Sequence, residues 1–165
     1  MPKEFRTTLP QKFVENTIAL CGAKGEKWLD ALPATIAELE ASWSIEVAGH
    51  FRNLSYNYVA NAIFPDGKTA VLKIGLPLTD VEIYGEAAYL RAANGVGAAR
   101  LLEFDRDRQA VLLERVDPGS NLKSVCKKDQ ARAVGIAIKI LKRILKPVPV
   151  EEYEFIKLDD WFDGL

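Results

Sequence analysis

Histidine is almost missing from this chain: His50 is the only one in 165 residues. It sits far in sequence from any paired acid or nucleophile, so it reads as a structural or exposed side chain, not a catalytic one. Cysteine is nearly as scarce. Cys21 and Cys126 belong to no CxxC or Cys/His cluster, which excludes the common zinc spacings. Two scattered thiols point to a reducing compartment, with cytoplasm expected. No run of about 18 apolar residues is present, so no membrane span is predicted. The start, Met1-Pro2-Lys3-Glu4-Phe5-Arg6, has no apolar stretch after its charges and is not a secretory signal. A charge excess is also lacking: the formal net charge is -1, with 27% charged and 48% hydrophobic residues. Nothing in that balance draws the chain to nucleic acid or an anionic membrane. Internal repeats and low-complexity tracts are absent.

What remains is an ordinary globular composition with two kinds of periodicity. Phe13, Val14, Thr17, Ile18 and Leu20 form a helical pattern ending at Gly22. A second helical stretch begins near Gly25 with Trp28, Leu29 and Leu32. Pro33 is expected to interrupt it, and Ile36, Leu39 and Trp43 continue beyond, giving two or three short helices. Strands are predicted over 43–47 and 56–64. Pro65-Asp66-Gly67 then supplies a turn, with proline presetting φ and glycine accepting positive φ. A third strand covers 69–75. Thr79-Asp80-Val81-Glu82 fits a capping box for a helix running to about Ala93, where Asn94-Gly95 stops it. Strands follow over 99–104 and 109–116, joined by Asp105-Arg106-Asp107-Arg108. A helix is predicted over 129–146, with Val134, Ile138, Leu141 and Leu145 on one stripe and its basic residues on the solvated side. Pro147 and Pro149 end it, and Asp159-Asp160-Trp161-Phe162 begins another helix. The fold class is α+β.

One lysine interrupts an otherwise apolar strand, Ala70-Val71-Leu72-Lys73-Ile74-Gly75. Taken alone, it reads as a solvent-facing side chain. The following helix changes that, because it offers carboxylates at Glu82 and Glu86, four residues apart on one face. Glu82 is assigned to the cap, leaving Glu86 to pair with Lys73. A compact ammonium held on a rigid strand by a carboxylate suits the α- and β-phosphates of a nucleotide. Residues 51–57, with Ser55 and Asn57 as donors, occupy the place of a phosphate-covering loop. That loop is unusual in having no glycine after Gly49. Glu114-Arg115-Val116 ends the fifth strand where a hinge would read a base edge, through the Glu114 carbonyl and the Val116 amide. The order of hairpin, strand lysine, helix glutamate, strand and hinge is that of a protein-kinase-like small lobe: a five-stranded antiparallel sheet with one helix behind the lysine.

These residues together resemble the aminoglycoside 6-phosphotransferases, or streptomycin 6-kinases, of the aminoglycoside and hydroxyurea antibiotic-resistance kinase group. The likeness is carried by Asn53-Leu54-Ser55-Tyr56-Asn57-Tyr58-Val59, by Asp66-Gly67 leading into Ala70–Gly75, and by Glu86-Ala87. It continues through Arg100-Leu101-Leu102-Glu103, Leu112–Val116 with Pro118-Gly119, Pro147-Val148-Pro149 and Asp160-Trp161. The resemblance implies a bilobal fold and ATP- and Mg2+-dependent phosphorylation of a hydroxyl on a streptomycin-like aminoglycoside. It carries over Lys73 and Glu86 as the phosphate pair and 114–116 as the hinge.

The family pattern continues into a catalytic loop of the His-Gly-Asp-Leu-His type with a downstream asparagine, then a metal-binding aspartate. After Asn121 this chain has neither histidine nor asparagine, so no catalytic residue and no metal ligand is assigned. The expected organisation is a helical segment over 1–42, a small lobe over 43–116, and a hinge with the first helices of a large lobe over 117–165. The chain is thus expected to be the front, nucleotide-binding part of such an enzyme, inactive by itself. The metal ligands and the aminoglycoside pocket are expected in the larger lobe. The alternatives are a catalytically silent interaction module, or an α+β domain whose 51–57 loop and Lys73 point apart. Without a covering lobe, the stripe on the 129–146 helix is expected to drive self-association through residues 129–165.

Overall fold

The computed structural model describes residues 2–78, 82–145, 147 and 155. The capping-box residues 79–81 and the Asp159–Phe162 helix start lie outside the described residues. Among those described, ten elements follow in order. Helices α1 (Pro2–Thr8) and α2 (Gln11–Trp43) precede strands β1 (Glu46–His50), β2 (Tyr58–Ile63) and β3 (Thr69–Ile74). Helix α3 (Glu82–Ala93), strands β4 (Leu101–Asp105) and β5 (Ala110–Glu114), and helices α4 (Leu122–Cys126) and α5 (Gln130–Ile144) complete the chain. The strands form one antiparallel sheet in the order β1-β2-β3-β5-β4. The α+β class and the five-stranded lobe expected from the sequence are what is found.

The N-terminal helices agree with expectation at Gly22 and differ at Pro33. Pro33 lies inside α2 and does not break it, while the bend falls at Gly22, at φ 54 and ψ -134. A proline costs a helix one donor and some steric room, and tertiary packing can absorb that. A left-handed φ with extended ψ is open to glycine and closed to most other residues, so Gly22 is where the chain turns. The helix also runs on through Trp43, ending at Ser44 in a left-handed cap at φ 51. The first strand therefore starts at Glu46 and not at Trp43. The short helix α4 was not anticipated; Asn121 caps it by accepting from the Ser124 amide at 3.0 Å. Asp129 caps α5 in the same way, accepting from the Arg132 amide at 2.9 Å.

Period-two alternation divides the sheet into two working faces. Tyr58, Ala60 and Ala62 of β2, Ala70, Leu72 and Ile74 of β3, and Ala110 and Leu112 of β5 face α2. There they meet Phe13, Leu29, Leu32 and Leu39, all at most 1% exposed. Each such side chain contributes roughly 1.5–3 kcal/mol by leaving water. On the other face, Val111 packs with Ile83 and Ala87 of α3, flanked by Tyr84, Leu101, Phe104 and Leu113. Tyr84 helps dock α3, donating to the Arg106 carbonyl at 3.2 Å with the Arg106 guanidinium 4.5 Å from its ring centroid. The sheet is thus a partition with α2 on one side and α3 on the other.

Candidate functional site

Lys73 lies on the α3 side of that partition, for a reason of register. It pairs with Val59 of β2 and Val111 of β5, and directly opposed residues in an antiparallel ladder share a face. Its neighbours Leu72 and Ile74 are buried against α2, so the alternation that drives them inward turns the ammonium toward α3. On α3, Ile83 and Ala87 anchor the helix to the sheet. Glu86, next to Ala87, meets the lysine: Lys73 Nζ donates to Glu86 Oε2 at 2.5 Å. The side chains are 22% and 31% exposed, half-buried at the edge of solvent. Glu86 takes one of the ammonium's three donors.

The ammonium opens onto a cleft of about 370 Å³ lined by Lys73, Val59 and residues of the 51–57 loop. That loop and Lys73 therefore face a common space and do not point apart. Ser55 and Asn57 both line it. The Asn57 side chain is committed to the fold, since its Oδ1 accepts from the Leu76 amide at 3.2 Å and ties the loop to the end of β3. The Ser55 carbonyl accepts from Asn16 Nδ2 at 3.2 Å, tying the loop to α2 as well. These two braces hold a glycine-poor loop in place.

The 114–116 segment is brought to the same sheet but to the far end of β5. Ala70 pairs with Glu114 three residues along from the Lys73–Val111 pair, a distance of about 10 Å at strand rise. The Glu114 side chain shares the α2-facing side with Ala70, and its Oε1 accepts from the Arg100 amide at 2.9 Å. The carboxylate is thus turned away from Lys73, and only backbone groups of Glu114 are available to a ligand on the lysine side. Val116 is 61% exposed. The sequence reading missed a further contact: Arg115 Nη1 donates to Asn61 Oδ1, joining the segment after β5 to β2. Asn61 pairs with Val71 and so shares the Lys73 face. Counting two residues on from Val59 along β2 identifies it.

Among the described residues no three His, Cys, Asp or Glu side chains converge as a metal site, and no helix is long and apolar enough to cross a membrane. His50 is placed structurally: its Nδ1 lies 3.0 Å from the Phe51 carbonyl and its Nε2 3.0 Å from the Thr8 carbonyl.

A strand lysine paired to a helix glutamate beneath a hairpin loop, in a five-stranded antiparallel sheet, defines the small lobe of a kinase-like protein. Comparison with known proteins agrees. The family described as aminoglycoside/hydroxyurea antibiotic resistance kinase matches residues 43–165, and the chain belongs to that family. A hydroxyurea phosphotransferase of Kitasatospora aureofaciens is 35% identical over 136 residues, covering 82% of this chain and 39% of the relative. A streptomycin 6-kinase of Streptomyces glaucescens is 33% identical over 144 residues, covering 86% of this chain and 45% of the relative. A streptomycin 6-kinase of Streptomyces griseus is 31% identical over 138 residues, covering 82% and 43%. The chain therefore spans less than half the length of the curated relatives it matches.

Proposed function

We propose that this chain is the ATP-binding portion of a kinase that phosphorylates a hydroxyl of a streptomycin-like aminoglycoside. The Lys73–Glu86 pair opening on the 51–57 cleft carries this reading. Lys73 would meet the α- and β-phosphates, and Glu86 would fix its direction. The loop, with the Ser55 hydroxyl and its backbone amides, would cover the phosphates. About 10 Å down the strand, the Glu114 carbonyl and Val116 amide would meet the adenine edge, a separation that a nucleoside bridges. The Arg115–Asn61 contact holds that segment against the sheet.

In the reaction the acceptor oxygen bonds to the γ-phosphorus, the bond to the β–γ bridging oxygen breaks, ADP leaves, and the hydroxyl proton passes to a base. This chain supplies binding and orientation; neither the base nor the metal ligands are assigned to its described residues. Mg2+ would neutralise charge on the phosphates. The free thiols Cys21 and Cys126 suit a reducing cytoplasm.

The test is a titration of the full chain with a fluorescent ATP analogue, displaced by ATP, beside Lys73→Ala. Saturable binding that weakens at least about tenfold in the variant supports the reading. No binding, or equal affinities, overturns it. Phosphate transfer from ATP to streptomycin and to hydroxyurea by the whole enzyme then distinguishes the acceptors that the relatives' names suggest.

A further inference from the structure

The loop at the Lys73 cleft is anchored on both sides of one aromatic residue. Before it, Leu54 is 8% exposed and belongs to the hydrophobic core, and the Ser55 carbonyl accepts from Asn16 Nδ2 of α2. After it, Asn57 Oδ1 accepts from the Leu76 amide. Tyr56 stands between these anchors. It lines the cleft together with Lys73, and it is 56% exposed.

A phosphate-covering loop ordinarily brings backbone amides onto its ligand, and glycine eases that approach because no Cβ intervenes. No glycine stands between Gly49 and Gly67. Each amide of the loop therefore carries a side chain, and the anchors oppose any shift that lowers the backbone toward a ligand. A side chain that reaches across the gap is the remaining means. Among the loop residues lining the cleft, Asn53, Ser55, Tyr56 and Asn57 carry uncharged donors. Asn57 is engaged with Leu76. Tyrosine reaches furthest of the four, and it orders only two torsions when it closes on a ligand.

We propose that the Tyr56 hydroxyl donates to the terminal phosphate of the bound nucleotide. The assignment rests on the Lys73 cleft being a nucleotide site. There Lys73 meets the α- and β-phosphates, and the exposure of Tyr56 sets it toward the open mouth of the cleft, where the far end of the polyphosphate lies. The phenol supplies the donor that a glycine-rich backbone gives elsewhere, so the loop holds the transferable group without moving its main chain.

ATP and ADP, each with Mg2+, are the probes. Both are titrated against a fluorescent ATP analogue on the full chain, as wild type, Tyr56→Phe and Lys73→Ala. Tyr56→Phe is expected to weaken ATP about tenfold, the worth of one hydrogen bond to a charged group, and to leave ADP unchanged. Lys73→Ala is expected to weaken both, because its ammonium meets phosphates that both nucleotides carry. The phenylalanine variant is expected to melt with the wild type, since the side chain is largely exposed. Unchanged ATP affinity in Tyr56→Phe, beside a weakened Lys73→Ala, overturns the Tyr56 assignment and leaves the nucleotide site standing. Equal losses for ATP and ADP overturn it as well, as does a Tyr56→Phe chain that melts early, which makes the residue structural. No nucleotide binding by the wild type overturns both.

Discussion

Val59 and Lys73 stand directly opposite each other across β2 and β3, so the strand that follows the cleft loop and the strand that carries the ammonium present these side chains to the same space. A one-residue slip of β3 would turn Lys73 into the α2 core.

Lys73→Ala is expected to weaken ATP-analogue binding by about tenfold or more. Glu86→Gln is expected to weaken it less, since the lysine remains but is held less firmly. The pair is partly exposed, so its loss should change folding stability by about 0–1 kcal/mol. Binding titrations set beside thermal melts check this. A large drop in melting temperature with unchanged affinity would make the pair structural.

Tyr58 gives a pH signature. Its folded pKa is raised from 10.0 to about 12, chiefly by burial. Between these values the unfolded chain has lost the phenol proton and the folded chain retains it. Its stabilisation is therefore complete below pH 10 and is lost as pH rises toward 12, by about 2 kcal/mol. Phenolate absorbance should show a late-titrating step, and Tyr58→Phe should remove it.

Gly97 is held at φ +82, and a Cβ there would lie 2.8 Å from Ile144 Cγ2 and 3.0 Å from Arg143 Cβ. Gly97→Ala must strain the backbone and displace the end of α5. A loss of about 1–3 kcal/mol is expected in chemical denaturation. No loss would mean that α5 does not rest on this turn.

Helix α5 exposes Val134 (58%), Ile138 (47%) and Leu141 (47%), and Leu145 (77%) follows at its cap. Apolar area of this kind favours association, so the chain should show concentration-dependent dimers or larger species in sedimentation. Ile138→Glu with Leu141→Glu should return it to monomer. A monomeric wild type at high concentration would refute this.

The strand lysine was legible because its period-two neighbours are strongly apolar, and Glu86 because a helix after such a strand has few carboxylates to offer. The passage through Pro33 was harder. Pro33 carries the stronger local signal, yet packing of Ile36 and Leu39 into the core lets the helix pass through it. Gly22 was legible as the end of the first helical stretch, and its non-helical φ and ψ mark the kink where two helices meet within α2. The β1 start was misplaced because Trp43 and Ile45 fit a strand pattern as well as a helix end, and only the left-handed Ser44 separates them. The link between Asn61 and Arg115 escaped notice because it joins residues 54 apart. The side-chain direction of Glu114 depends on its pairing with Ala70, which no window of sequence reports.

The family match begins at residue 43, but the hydrophobic interior does not. Leu29, Leu32 and Leu39 roof the sheet over Ala60, Leu72 and Leu112, and Arg108 in the β4–β5 turn holds Glu38 of α2 at 2.8 Å. A chimaera that exchanges this lobe between relatives must therefore splice ahead of α2. A seam at residue 43 would strip the roof from the sheet and hand over an insoluble graft.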